Sequence, residues 1–114
     1  MKVINNVFSE VVRGNIDLKS NILNLAVGVL KAGTSSIENR HNYESVMYIV
    51  SGEGKTYVNG EGIDWSAGDI LHIPSLSWHK HIGKGSEDCK YFVVENMALL
   101  DTLGDFSFRE DRVD

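Results

Sequence analysis

The sequence predicts an all-β protein, a sandwich or barrel of short antiparallel strands. Three observations carry this expectation. Apolar residues recur with a period near two, as in Leu23, Leu25, Val27 and Val29, which share one face of an extended segment. Turn residues, above all Asn59-Gly60 and Ala67-Gly68-Asp69, punctuate the chain at intervals of roughly eight to twelve residues. The signals that start and stop helices are almost absent before residue 98.

Taken in order, residues 2–19 carry scattered apolar positions (Val3, Ile4, Val7, Phe8, Val11, Val12) followed by Gly14-Asn15, which reads as a first strand and a turn. Residues 22–30 form the next strand, with Asn24, Ala26 and Gly28 opposite the Leu/Val face. Residues 46–50 are apolar on both faces, which predicts cover on both sides. Residues 55–58 and 62–65 flank Asn59-Gly60, a type I′ hairpin signal because both central positions need positive φ. Residues 70–73 extend to Pro74, which must sit at a strand end or edge. Residues 91–97 make the last strand. Beyond it, Leu99, Leu100, Leu103, Phe106 and Phe108 precede a charged Arg109-Glu110-Asp111-Arg112 run, compatible with a short helix or an extended arm.

A chain of 114 residues is expected to form one domain, residues 1–114, with a core that needs no metal or disulfide to hold it. The net charge of −5 and the absence of a Lys/Arg cluster argue against nucleic acid. One cysteine, Cys89, excludes an internal disulfide. There is no apolar run of about twenty residues and no signal-peptide pattern, so the expectation is no membrane and a cytoplasmic location.

The chemistry gathers in residues 33–79. Gly33 is followed by five residues and Asn39-Arg40-His41, then by three residues and Ser45, then by six and Gly52. Gly68 is followed by five residues and Pro74, with Leu76, Trp78-His79, His81 and Gly83 beyond. Asn39 and His41 are two apart and share a strand face, as do His79 and His81. An imidazole on an enclosed face needs a hydrogen-bond partner or a metal. Such N and O ligands suit Fe(II), Mn, Ni, Zn or Cu.

The frame resembles the two motifs of the cupin superfamily, Gly-x5-His-x-His-x3–4-Glu-x6-Gly and Gly-x5-Pro-x-Gly-x2-His-x3-Asn. The resemblance implies a double-stranded β-helix, or jelly-roll, barrel with its core at about residues 22–97 and extensions at both ends. Asn39 stands at the first His slot, Ser45 at the Glu slot, Leu76 at the inner Gly and Gly83 at the final Asn. Arg40-His41 with Ser45, and Pro74-Ser75-x-x-Trp78-His79-x-His81, resemble the gentisate 1,2-dioxygenase branch. That branch lacks the Glu ligand and holds Fe(II) through three histidines. His41 and His79 match two of them, and Asn39 stands at the third. His81 matches a pocket histidine that is not one of the three ligands.

The resemblance therefore implies a divalent transition metal held by His41, His79 and Asn39; the strand face that His81 shares with His79 leaves His81 as an alternative third ligand. Arg40, Ser45, Tyr48, His72, Trp78 and His81 are expected to line the pocket or support the ligands. Arg40 or a pocket hydroxyl would orient a carboxylate. Glu44, one residue off the Glu slot, is expected to face solvent. Two functions stay open: a metal-dependent oxygenase or isomerase acting on a small carboxylate or aromatic substrate, and a non-catalytic small-molecule-binding cupin. Surplus apolar positions (Val3, Val7, Phe8, Leu99, Leu100, Leu103, Phe106) point to a homodimer.

Overall fold

The computed structural model describes residues 3–8 and 11–112; for residues 3–8, 11 and 12 the description is confined to the backbone. Two antiparallel sheets face each other. The six-stranded sheet runs β1 (Val3–Phe8), β2 (Val11–Ile16), β3 (Asn24–Leu30), β10 (Cys89–Glu95), β5 (Ser45–Ser51) and β8 (Ile70–Ile73). The five-stranded sheet runs β11 (Arg109–Asp111), β4 (Asn39–His41), β9 (His79–Lys84), β6 (Glu53–Val58) and β7 (Glu61–Ser66). One short helix, α1 (Met97–Gly104), links β10 to β11. The segment after residue 97 is thus both a helix and an arm. This is the all-β jelly-roll expected from the sequence.

The apolar core lies between the sheets: Ala26, Leu30, Met47, Ile49, Trp65, Leu71, Ile73, Cys89 and Val93. Alternation decides who enters it. On β5, Ser45, Met47 and Ile49 point inward while Val46, Tyr48 and Val50 point out. The expected cover on both sides of residues 46–50 is therefore not what this chain shows: Val50 is 55% exposed. On β3, likewise, Ala26, Gly28 and Leu30 are buried, and the Leu/Val face lies outward. A second departure concerns Gly14-Asn15. These residues lie inside β2, paired with Val27 and Ala26, not in a turn.

The hairpin at Asn59-Gly60 forms as expected, with φ of 50° and 82° at its two central residues and Val58 opposite Glu61. Pro74 follows β8, which is the edge strand of its sheet. Cys89 is fully buried and its thiol donates to the Glu53 carbonyl at 3.1 Å. Gly83 is required where it stands, because a Cβ there would meet the Lys31 carbonyl oxygen at 2.8 Å.

Leu76 occupies the left-handed region at φ 67°, a conformation that crowds an L-residue's Cβ against its own backbone. Its amide donates to the His41 carbonyl at 2.8 Å, so the strained residue ties the β8–β9 turn to β4. Its side chain is half exposed and returns little by packing. Leu76→Gly should therefore stabilise the fold by about 0.5–1 kcal/mol, the relieved strain exceeding the added unfolded-state entropy. A thermal-unfolding midpoint about 2–5 °C higher is the expected result. A lower midpoint would mean that the Leu76 side chain contributes more than its conformation costs.

Candidate functional site

At one end of the sandwich interior the apolar core opens into a cavity of about 290 Å³. Met47, Ile73 and Val93 belong to both core and cavity, so one wall is apolar. The opposite wall is the polar face of the five-stranded sheet. Asn39 pairs with His79 across β4 and β9, and alternation brings His41 and His81 onto the same inward face.

The wall fixes the protonation of two imidazoles. Nδ1 of His41 lies 2.8 Å from the Tyr43 carbonyl, and Nδ1 of His79 lies 2.9 Å from the Ser77 carbonyl. A carbonyl only accepts, so both Nδ1 atoms donate and both Nε2 atoms keep a lone pair. The two rings have centroids 4.9 Å apart and planes at 72°. That separation suits two imidazoles on one ion, which at metal–nitrogen distances of about 2.1 Å puts ring centres roughly 4.5–5 Å apart. Tyr43 stacks flat on His41 at 4.0 Å and holds its ring.

Asn39 contributes differently. Its amide nitrogen donates to the Ile37 carbonyl at 3.2 Å, which leaves its oxygen as the group available to a ligand. No cluster of three or more His, Cys, Asp or Glu arranged to hold a metal occurs among the described residues. The residues that could hold an ion are thus the two imidazoles and one amide oxygen.

A carboxylate is nonetheless buried in the cavity wall. Glu95, at the end of β10, accepts from Arg13 Nη2 at 2.5 Å, Asn24 Nδ2 at 2.9 Å and Ser45 Oγ at 3.0 Å. Ser45, at the slot where the resembling motif has Glu, spends its hydroxyl on this carboxylate. Tyr43 and Tyr91 add phenols. Burial raises both phenols, Tyr43 to about 12, with Glu95 pushing the same way, so both stay neutral donors at neutral pH. Arg109 and Asp111 reach the cavity from β11, where Arg109 Nε donates to Asp111 at 2.9 Å.

Of the residues expected in the pocket, Asn39, His41, Ser45, His79 and His81 line the cavity together. Four others lie elsewhere. Tyr48 points outward and meets Phe92 edge-on at 6.2 Å. His72 is on the outward phase of β8, bonded to Glu44 at 2.9 Å, and Glu44 faces solvent as expected. Arg40 lies between two inward residues of β4, bridging to Glu110 at 2.9 Å and capping Trp78 at 4.7 Å. Trp78 has Arg112 at 4.0 Å and sits outside the cavity. Arg40 is therefore not placed to orient a carboxylate inside. The residues missed from the sequence, Arg13, Tyr43, Glu95, Arg109 and Asp111, fall outside the two motifs or between their slots.

This fold and site define a small β-barrel protein whose histidines surround a ligand-sized cavity. Residues 26–95 match the family model described as Cupin domain, so the chain belongs to the cupin family. It is 32% identical over 76 residues to a 5-aminosalicylate 1,2-dioxygenase of Comamonas, covering 67% of this chain and 20% of that protein. It is 34% identical over 77 residues to a gentisate 1,2-dioxygenase of Ralstonia, covering 67% and 22%. It thus shares homology with dioxygenases, while spanning about a fifth of their length. Among solved structures, a salicylate 1,2-dioxygenase of Pseudoaminobacter salicylatoxidans in complex with gentisate superposes with a TM-score of 0.87. Sequence identity there is 17%, over 95% of this chain and 31% of that one. The plu4264 protein of Photorhabdus luminescens superposes at 0.74 and 18% identity, with 90% and 88% covered. These likenesses show the fold.

Burial pushes His79 down to about 4 and His81 to about 3, and holds His41 below its ordinary value. In the unfolded chain these imidazoles titrate near about 6.5. Folding therefore excludes protons that the unfolded chain binds, so the contribution is full above pH ~6.5 and is lost as pH falls toward 4 and 3. The metal-free protein should show a urea midpoint that drops steadily from pH ~6.5 to 4. His81→Gln should flatten part of that slope. A slope unchanged by this substitution would contradict the account.

Proposed function

We propose that the chain binds a divalent transition metal through His41, His79 and Asn39 and takes a small carboxylate or aromatic molecule into the adjoining cavity, as a dioxygenase-type cupin. The supporting observation is the pair of carbonyl-anchored imidazoles, whose Nε2 lone pairs share one inward face 4.9 Å apart at the ring centres. Fe, Mn, Ni and Zn all accept such ligands. When bound, the ion would supply Lewis acidity or, for a redox metal, oxygen chemistry.

The chain's own residues do the rest. Tyr43 fixes the His41 ring. Met47, Ile73 and Val93 offer an apolar wall to a ring or alkyl body. Neutral phenols of Tyr43 and Tyr91, with Arg13 and Arg109 on the lining, supply donors for oxyanions. The names of the dioxygenase relatives support substituted salicylates and gentisate as the first compounds to try.

A second reading, a non-catalytic small-molecule-binding cupin, has its own support. Asn39 replaces a histidine with a weaker neutral ligand, and Ser45 replaces a carboxylate and is committed to Glu95. Oxygen uptake with gentisate by iron-loaded protein separates the two. Consumption supports the first; tight binding without consumption supports the second.

His41→Ala and His79→Ala should each reduce Mn(II) binding by about tenfold or more, because each removes one of two imidazole lone pairs. Asn39→His should tighten it by about tenfold, an imidazole replacing an amide oxygen. Full metal occupancy in His41→Ala would overturn this site.

We also propose that two copies pair. Val27, Phe92, Tyr48 and Ile70 lie in one cross-strand row on the outer face of the six-stranded sheet, and all four are exposed. Leu103 and Phe106 are exposed as well, and Leu99 and Leu100 are half-buried; the side chains of Val3, Val7 and Phe8 lie outside the described residues. Such a row is a surface that a partner would cover. Sedimentation at micromolar concentration should give a dimer, and Tyr48→Glu a monomer; a monomeric parent protein would remove the proposal.

A further inference from the structure

The third cavity imidazole differs from the other two in what stands behind it. His41 and His79 each face a backbone carbonyl, whereas Nδ1 of His81 lies 2.8 Å from the hydroxyl of Thr56. A hydroxyl can donate or accept, so the tautomer depends on the next group in line. That group is the indole of Trp65, whose Nε1–H reaches Thr56 Oγ1 at 2.8 Å. An indole nitrogen only donates. Thr56 is fully buried, and among the described residues its hydroxyl has these two partners and no third.

Two arrangements are possible. If His81 Nδ1–H donated to Thr56, the threonine oxygen would accept twice and its own proton would be buried without an acceptor. If instead Thr56 donates to a bare Nδ1, all three groups are satisfied. Burial penalises the unsatisfied arrangement. We propose that Thr56, oriented by Trp65, fixes His81 as the Nε2–H tautomer, so that His81 offers the cavity a hydrogen-bond donor while His41 and His79 offer lone pairs.

The consequence is a division of labour written into the barrel wall. A ring with a proton on Nε2 cannot ligate a metal through that atom; it can donate to an oxygen of the bound small molecule. This inference rests on the proposed function for its ligand but not for the tautomer itself. Thr56 and Trp65 are positioning residues: they act through His81. Both lie on the β6–β7 hairpin, and Thr56 pairs with His81 in the register of β6 on β9.

The test uses the full-length, metal-free chain with 15N-labelled histidine. Long-range 1H–15N correlation spectra report which ring nitrogen of each neutral histidine carries the proton. His81 should show a protonated Nε2 and a bare Nδ1, the reverse of His41 and His79. Finding His81 in the same tautomer as the other two would overturn the proposal. Thr56→Val should remove the His81 preference and weaken gentisate binding by about tenfold, the worth of one hydrogen bond. Thr56→Ser should restore both. A Thr56→Val protein that keeps the His81 tautomer would also overturn it. His81→Gln should bind Mn(II) within about twofold of the parent, whereas His79→Gln should lose about tenfold or more. Equal losses in the two variants would return His81 to the ligand set and end the proposal. If the parent protein binds neither Mn(II) nor gentisate, the functional reading fails, and the spectra of the metal-free chain still decide the tautomer.

Discussion

One backbone pairing holds the site together: Asn39 opposite His79, where β4 meets β9. Residues directly opposite on antiparallel strands project to the same face with Cβ atoms about 4.5–5.5 Å apart. That contact joins two segments from distant parts of the chain, and alternation then carries His41 and His81 inward with them. A slip of one residue would turn every one of these side chains outward. The register is guarded from both flanks. β11 pairs along β4, setting Arg109 opposite His41 and Asp111 opposite Asn39. β6 pairs with the whole length of β9. The Leu76 amide adds a bond to the His41 carbonyl, accepting an unfavourable backbone conformation to make it.

The same interior is apolar at one end and polar at the other, and the polar end carries an ion pair whose carboxylate is buried. Stripping Glu95 of water is costly unless its oxygens are met by donors, and three donors meet them. One comes from β2, so the amino-terminal hairpin is coupled to the cavity. Arg13, Gly28 and Tyr91 lie in one cross-strand row over β2, β3 and β10. Gly28 carries no side chain there, and the Tyr91 ring takes the space: a Cβ at 28 would come within 2.4 Å of it. The missing side chain thus admits a phenol to the cavity wall.

The strand phases and the hairpin at Asn59-Gly60 were legible because alternation and turn chemistry are local. The histidine positions were legible because motif spacing counts residues along the chain. Where both faces of a strand are apolar, spacing says which residues share a face but not which face is inside. Tyr48 and His72 fall on the outer face, which apolar spacing alone leaves open, although Ser45 fixes the inward phase of β5 and Tyr48 is out of step with it. Arg40 neighbours His41 in sequence, but its middle position on β4 turns it to the outer surface. Gly14-Asn15 carried a turn's composition and was overruled by six-position pairing of β2 with β3. Arg13, Glu95 and Arg109 left no local signal: each reaches the cavity through pairings made only in the folded sheets.

The charges around the histidines bear on what can occupy the cavity. His41, His79 and Asn39 are all neutral donors at neutral pH, given the lowered imidazole values. Glu95 is matched by Arg13, and Asp111 by Arg109. Among the described residues, both carboxylates lining the cavity are thus paired with arginines. If the proposed divalent ion binds there, its charge would be weakly screened in a low-dielectric cavity. A carboxylate bound with such an ion would offset its charge and could accept hydrogen bonds from the neutral phenols of the wall. A serine rather than a carboxylate at position 45 bears on the proposed site in a definite direction. A glutamate there would bring its own negative charge to the proposed ion, whereas a serine would leave that charge to a bound anion, so under the proposed reading metal and anion would favour each other's binding.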